Sequence, residues 1–323
     1  MATSSRSSAI ELPVVFCVWA AIVIATAFMG AWLGYSGPRF VVALSIAAAL
    51  FGFELFLAVP PVLARTQRLL GGGSFVVGLV PLIAVVAYSS LVGGDWKALL
   101  GGVLYVVVPI LLLTSVSGRA PGQWEDYAAV TILWVPVWLQ WVYRVFPYPT
   151  QLTHVLSVLL ALSIGIAGFL LLRGVDNVGY ALEWRRGFAW NFGFHFLVLA
   201  AIAIPVGLRL HFLVWAPSIH RLQPLVIIGI LFFTAWPEEL LFRGLLQNLL
   251  SRTFANEWAA LIVTSIIFGF SHILHAPAPN WKYVLLASIA GFFYGRAWMK
   301  TKSLVPGVIM HALVDICWHV LFR

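Results

Sequence analysis

Long apolar runs separated by short polar turns occupy most of this chain. A helix needs about 20 apolar residues to cross a bilayer. About eleven runs approach or exceed that length: Leu12–Tyr35, Phe40–Ala64, Ser74–Leu91, Ala98–Val116, Tyr127–Phe146, Leu152–Leu172, Phe188–Phe212, Leu222–Leu250, Glu257–His275, Tyr283–Met299 and Leu304–Phe322. The period-two alternation of a membrane β-barrel is absent. The pattern predicts an all-α, polytopic integral membrane protein with about 10–11 transmembrane helices. Pro60-Pro61 should end or kink the second run, because proline cannot donate to a helix ladder. Gly71-Gly72-Gly73 reads as a flexible turn, since no Lys-Ser/Thr follows to make a phosphate loop. The first run is long for a signal-peptide core and has no clear cleavage site after it, so it reads as a retained span.

Composition agrees with that pattern. Charged residues make up 9% of 323 positions and hydrophobic residues 62%, whereas a soluble domain carries about 25% charge. The net charge of +8 is spread between the apolar runs. It therefore reads as orientation charge and contact with membrane lipid, not as a nucleic-acid surface. With Arg243 set aside, the N-terminus and even-numbered loops hold eleven Lys and Arg, against seven in the odd-numbered loops and C-terminus. That bias places the N-terminus in the cytoplasm, and in a bacterium the protein in the inner cell membrane. Trp96, Trp124, Trp215 and Trp281 near predicted span ends fit an aromatic belt. Cys17 and Cys317 lie in apolar runs without a CxxC, so neither a zinc ribbon nor a disulfide framework is indicated. The longest linker, Arg173–Arg186, mixes charges with Tyr180 and Trp184 and suits the membrane interface. It divides the chain into an N-terminal multi-span region, residues 1–180, and a C-terminal region, residues 181–323. Oligomeric state is not legible.

The chemistry is concentrated in the second region. Glu238-Glu239 stand inside the 29-residue run Leu222–Leu250. One charged residue at a membrane-helix centre costs about 2.5–3.5 kcal/mol, so two mark a polar site facing protein or water. Arg243, four residues after Glu239, shares its helical face and offsets part of that cost. His272 lies in the next run with His275 three residues on, and His311, Asp315 and His319 form one stripe in the last run. A carboxylate in a low-dielectric pocket can serve as a general base near neutral pH. One histidine could hold the attacking water and another donate to a developing oxyanion. These parts suffice for hydrolysing an amide without a covalent intermediate, and no Gly-x-Ser-x-Gly context accompanies them. Glu238, His272 and His311 are also a possible ligand set for a divalent metal such as zinc, although no HExxH helix is present.

Three segments resemble one family in order and spacing: Glu238-Glu239-Leu-Leu-Phe-Arg243 fits EExxxR, Phe268-Gly-Phe-Ser-His272 fits FxxxH, and His311-Ala-Leu-Val-Asp315 fits HxxxN/D. These are the motifs of the CPBP family, the type II CAAX prenyl endopeptidases and bacteriocin-processing-like proteins. The resemblance covers residues 222–322, a four-span core. It implies an intramembrane endopeptidase acting on a membrane-anchored or prenylated polypeptide. By position it implies Glu238 as the residue activating water with His272 as partner, His311 and Asp315 at the oxyanion, and Glu239 and Arg243 in support. The family has been described both as metal-dependent and as metal-free glutamate proteases, and the second is preferred here, with no cofactor required. Well-known members have Asn where this chain has Asp315. An ionised carboxylate cannot donate to an oxyanion, so Asp315 would be protonated or would orient His311.

Two other functions use the same residues. In a proton-coupled transporter Glu238, His272, His311 and Asp315 would form a relay, against which the lack of an internal repeat argues. In a non-catalytic immunity or scaffold protein they would carry no chemistry. Glu54, alone in the second run, is open to three readings: a packing hydrogen bond, a proton relay, or contact with a basic group. His154, His195, His211 and His220 are assigned no role.

Overall fold

The computed structural model describes residues 8–70 and 75–322. The Gly71-Gly72-Gly73 turn, Ser74, and Arg6 and Arg323 of the orientation count lie outside the described residues. The chain divides into two compact units, Ala9–Asp176 and a second made of Asn177–Arg323 with the N-terminal residues up to Ser8.

In the first unit the helices are α1 (Leu12–Trp32), α2 (Gly37–Leu57), α3 (Pro60–Leu70), α4 (Phe75–Leu91), α5 (Trp96–Ser115), α6 (Trp124–Trp138) and α7 (Thr150–Leu172). The second predicted run breaks where its prolines stand. α2 ends at Leu57 and the separate, amphipathic α3 opens at Pro60, since Pro60 and Pro61 cannot continue the donor ladder. α7 is the buried centre of this unit. Against it the Ser163 hydroxyl donates to Glu54 Oε1 at 3.2 Å. The end of the unit is closed by a fully buried ion pair. Arg173 Nε and Nη2 donate to the two Asp126 carboxylate oxygens at 2.9 Å each, and Arg173 Nη1 donates to the carbonyls of Val116 and Arg119.

The second unit contains α8 (Phe188–Arg209), α9 (Pro224–Thr253), α10 (Glu257–Phe270), α11 (Trp281–Thr301) and α12 (Val305–Leu321). Among the described residues six helices, α1, α2, α5, α7, α8 and α9, are long and apolar enough to cross a membrane, and α4, α10 and α12 are shorter apolar helices. The protein is all-α and polytopic. Nine of the eleven predicted runs hold one of these helices, the other two hold α6 and α11, and two runs overreach. α6 stops at Trp138, just before Gln140 takes a left-handed φ of 60°. α10 stops at Phe270, ahead of Pro277 and Pro279, so His272 and His275 lie on turns. Trp96, Trp124, Trp215 and Trp281 are all exposed.

α11 is the axis of the second unit, packing against α8, α10 and α12. Two of its glycines, Gly291 and Gly295, let α9 approach closely. A Cβ on Gly295 would stand 2.4 Å from Gln247 Oε1. The Gly291 and Gly295 carbonyls accept from Arg243 Nη2 at 3.1 Å and Gln247 Nε2 at 3.2 Å. From Asn177 on, the linker packs against this unit at Gly179 and Tyr180, while its Trp184 is exposed. Tyr180 is buried with its ring edge-on to Trp236 at 5.6 Å. Gly179, at φ +77°, accepts from Leu304 N through its carbonyl and lies so near Ser303 that a Cβ would meet its Cα at 2.7 Å.

Candidate active site

α9 carries the paired carboxylates. It starts with Pro224 in its first turn, where the missing amide costs nothing. It is wound wide, with π turns, at Leu231–Ala235 and again at Leu240–Gln247. Pro237 lies between these segments and cannot donate to the preceding turn. Such widened turns recur where a helix is interrupted or carries a site.

The two adjacent glutamates have different environments. Glu239 is fully buried. Its Oε1 accepts from Arg243 Nη1 at 2.8 Å and stands 3.0 Å from His311 Nδ1. A carboxylate already bound by a guanidinium is an acceptor, so Nδ1 of His311 carries the hydrogen. Its Oε2 lies against Gly307, where a Cβ would come within 2.8 Å. Glu238 points elsewhere: its side chain is 32% exposed, while its Oε2 lies 3.8 Å from His311 Nε2. That oxygen is enclosed and makes no hydrogen bond among the described residues. Asp315, at 26% side-chain exposure, brings Oδ2 to 3.7 Å from the same Nε2. His311, at 4%, is thus held at Nδ1 by Glu239 and faces Glu238 and Asp315 at Nε2.

Aromatic rings fix these groups. Tyr294 of α11 stacks on the His311 ring at 4.8 Å and 18°. Phe268 of α10 meets His311 edge-on at 5.7 Å and lies under the Arg243 guanidinium at 4.3 Å, a cation–π contact. Phe268 also touches His272, at 5.0 Å. The four-residue FxxxH spacing turns His272 back on α10, with Nδ1 at 2.9 Å from the Phe268 carbonyl and 3.0 Å from Ser271 Oγ. The His272 ring packs on Tyr283 at 4.5 Å and on His275 at 5.6 Å.

Glu238, Glu239, Arg243, His311 and Asp315 therefore converge directly, and His272 joins them through the Phe268 ring. His319 is exposed and stands apart. The ligand set expected for a metal, Glu238, His272 and His311, does not assemble: among the described residues no three His, Cys, Asp or Glu side chains are grouped to hold one ion. His272 Nδ1 is turned to its own helix and His311 Nδ1 is occupied by Glu239. The sequence reading missed Tyr294, Phe268 as a bridging ring, Gly291 and Gly307. Gly291-Phe-Phe-Tyr-Gly295, a small-xxx-small pattern, was the available signal for close packing by α11.

A family model described as type II CAAX prenyl endopeptidase Rce1-like matches residues 220–317. That range contains every residue of the cluster. No curated protein and no solved structure matches the chain.

Proposed function

We propose, for a chain whose residues 220–317 belong to the type II CAAX prenyl endopeptidase Rce1-like family, that it cuts a peptide bond of a membrane-anchored or lipid-modified polypeptide with a water activated by Glu238. The carrying observation is the division of labour between the glutamates. Glu239 is consumed by Arg243 and His311, while Glu238 is part-exposed with one oxygen toward His311 Nε2. In this reading Glu238 takes the proton from water and the water oxygen attacks the scissile carbonyl. His272, on the Tyr283 side of Phe268, helps to hold the water. His311, in this reading an imidazolium with Nδ1–H on Glu239 and Nε2–H toward Glu238 and Asp315, donates Nε2–H to the oxyanion and passes that proton to the leaving amine, after which Glu238 returns the proton taken from water to Nε2. Glu239 and Arg243 position His311 and do not touch substrate. The reaction needs no metal, so chelation followed by dialysis should leave the rate unchanged.

The test compares protein termini in membranes from cells carrying wild-type protein or Glu238→Gln at matched levels. New termini confined to wild type identify both substrate and cut site. Identical termini, under conditions where loss of the gene has a phenotype, would overturn the proposal in favour of a carrier or scaffold.

A further inference from the structure

A second site lies away from the carboxylates, along the seam between α8 and α11. A cavity of about 470 Å³ opens at the start of α8 and the end of α11, lined by Arg185, Arg186, Trp190, His195 and Lys300 among others. No acidic side chain lines it. Arg185 is partly neutralised, pairing with Glu183 and donating to the Thr301 carbonyl at 3.4 Å. Arg186 and Lys300 are exposed and form no ion pair among the described residues. The positive end of the 22-residue α8 adds to their field. His195 borders the cavity although only 4% exposed. Its Nδ1 is held by the Asn191 carbonyl at 2.7 Å, and Nε2 makes no hydrogen bond among the described residues.

The far side of His195 leads to an apolar groove. Its ring lies 6.4 Å from that of Phe293. Phe293 lines a second cavity of about 420 Å³ with Ile202, Ile262, Ile266, Ile289 and Phe292. Seven residue steps of α8 separate His195 from Ile202, about 10 Å at 1.5 Å per residue. A cationic pocket at the end of an apolar groove, flanked by the exposed Trp184 and Trp190, has the polarity of an amphiphile with an anionic head. Exposed Trp at this level is the mark of the lipid interface.

We infer that this seam binds an anionic phospholipid, its phosphate between Arg186 and Lys300, with His195 bordering the passage to the groove, and one acyl chain along Ile202, Ile289 and Phe293. The lipid would tie α8 to α11, the helix that carries Tyr294. The inference does not depend on the proteolytic reading.

The test is lipid retention by the full chain purified in detergent, measured by native mass spectrometry. The probes are phosphatidylglycerol and phosphatidylcholine of identical chains, and soluble glycerophosphoglycerol. Wild type should retain phosphatidylglycerol in preference to phosphatidylcholine. Arg186→Gln/Lys300→Gln should weaken retention about thirtyfold, the effect of two interfacial charges. Ile202→Trp, which fills the groove and leaves the cations in place, should weaken it as well, and both variants should elute as wild type does. Equal retention of the two lipids, or unchanged retention in the double variant, would overturn the site. Displacement of lipid by an equal concentration of glycerophosphoglycerol would overturn the lipid reading, since the phosphate alone would then account for binding.

Discussion

Glu238 and Glu239 are chemically identical neighbours, and their surroundings separate them. Removing the Glu239 charge leaves Arg243 buried without its counter-charge, a loss of about 3–5 kcal/mol when one partner of a buried pair is deleted. Glu239→Gln should therefore lower thermal stability in detergent sharply. Glu238→Gln, which disturbs no hydrogen bond among the described residues, should melt as wild type does while product formation falls by about 10²-fold or more. Equal melting losses in the two would refute this assignment. Asp315 admits a similar split. If it acts by contact with His311, the isosteric Asp315→Asn should keep activity within about tenfold, and Asp315→Leu should lose it, because a buried donor left unmatched costs about 1–3 kcal/mol. The presence of this cluster was legible in the sequence, because charge inside an apolar run has few innocent explanations. The i,i+4 spacing of Glu239 and Arg243 also marked which glutamate is paired, whereas the hold of His311 on Glu239 was not legible. That second partner lies 72 residues away on the last helix, beyond any spacing rule.

Among the elements, close approach between helices sets the geometry. Gly269 of α10 faces α11 so tightly that a Cβ would fall 1.9 Å from Ser288 Oγ and 2.5 Å from the Val284 carbonyl. Ser288 can be trimmed but the carbonyl cannot move without α11. Gly269→Ala should consequently cost about 1–3 kcal/mol and reduce turnover, by pushing Phe268 away from His272 and His311, and Ser288→Ala should not rescue it. Gly101→Ala on α5, with open space around it, is the control and should leave stability unchanged or raise it by about 0.5–1 kcal/mol. Melting curves and single-turnover rates read both. Apolar periodicity revealed where helices run, because each must be long enough for lipid. It did not reveal which faces meet: the spacing of Gly291 and Gly295 signals one close approach, but Gly269 looks like any small residue in an apolar run. Nor did it show the widened winding of α9 around Pro237, which depends on tertiary contacts.

At the scale of the molecule, every residue of the proposed chemistry and the proposed lipid seam belongs to the unit that holds Asn177–Arg323. The charge bias that orients the chain can thus be tested on that unit alone. Lys282 and Lys300 stand near opposite ends of α11, a 21-residue helix, and the 18 residue steps from one to the other span about 27 Å at 1.5 Å per residue, close to the thickness of a bilayer's hydrocarbon core. Arg186 shares the Lys300 end, since both line one cavity. A cytoplasmic N-terminus puts Arg186 and Lys300 inside and Lys282 outside. With Cys17 and Cys317 replaced by Ser, a cysteine at Lys282 should react with an impermeant maleimide in intact cells, and a cysteine at Arg186 should react only after lysis. The reverse pattern would invert the orientation, and labelling of both in intact cells would mean that α11 does not cross. The outcome also bears on the lipid. The cytoplasmic leaflet carries the negative surface potential, so only the first pattern sets the cationic cavity where anionic headgroups are concentrated, with the apolar groove running from it toward the middle of the bilayer.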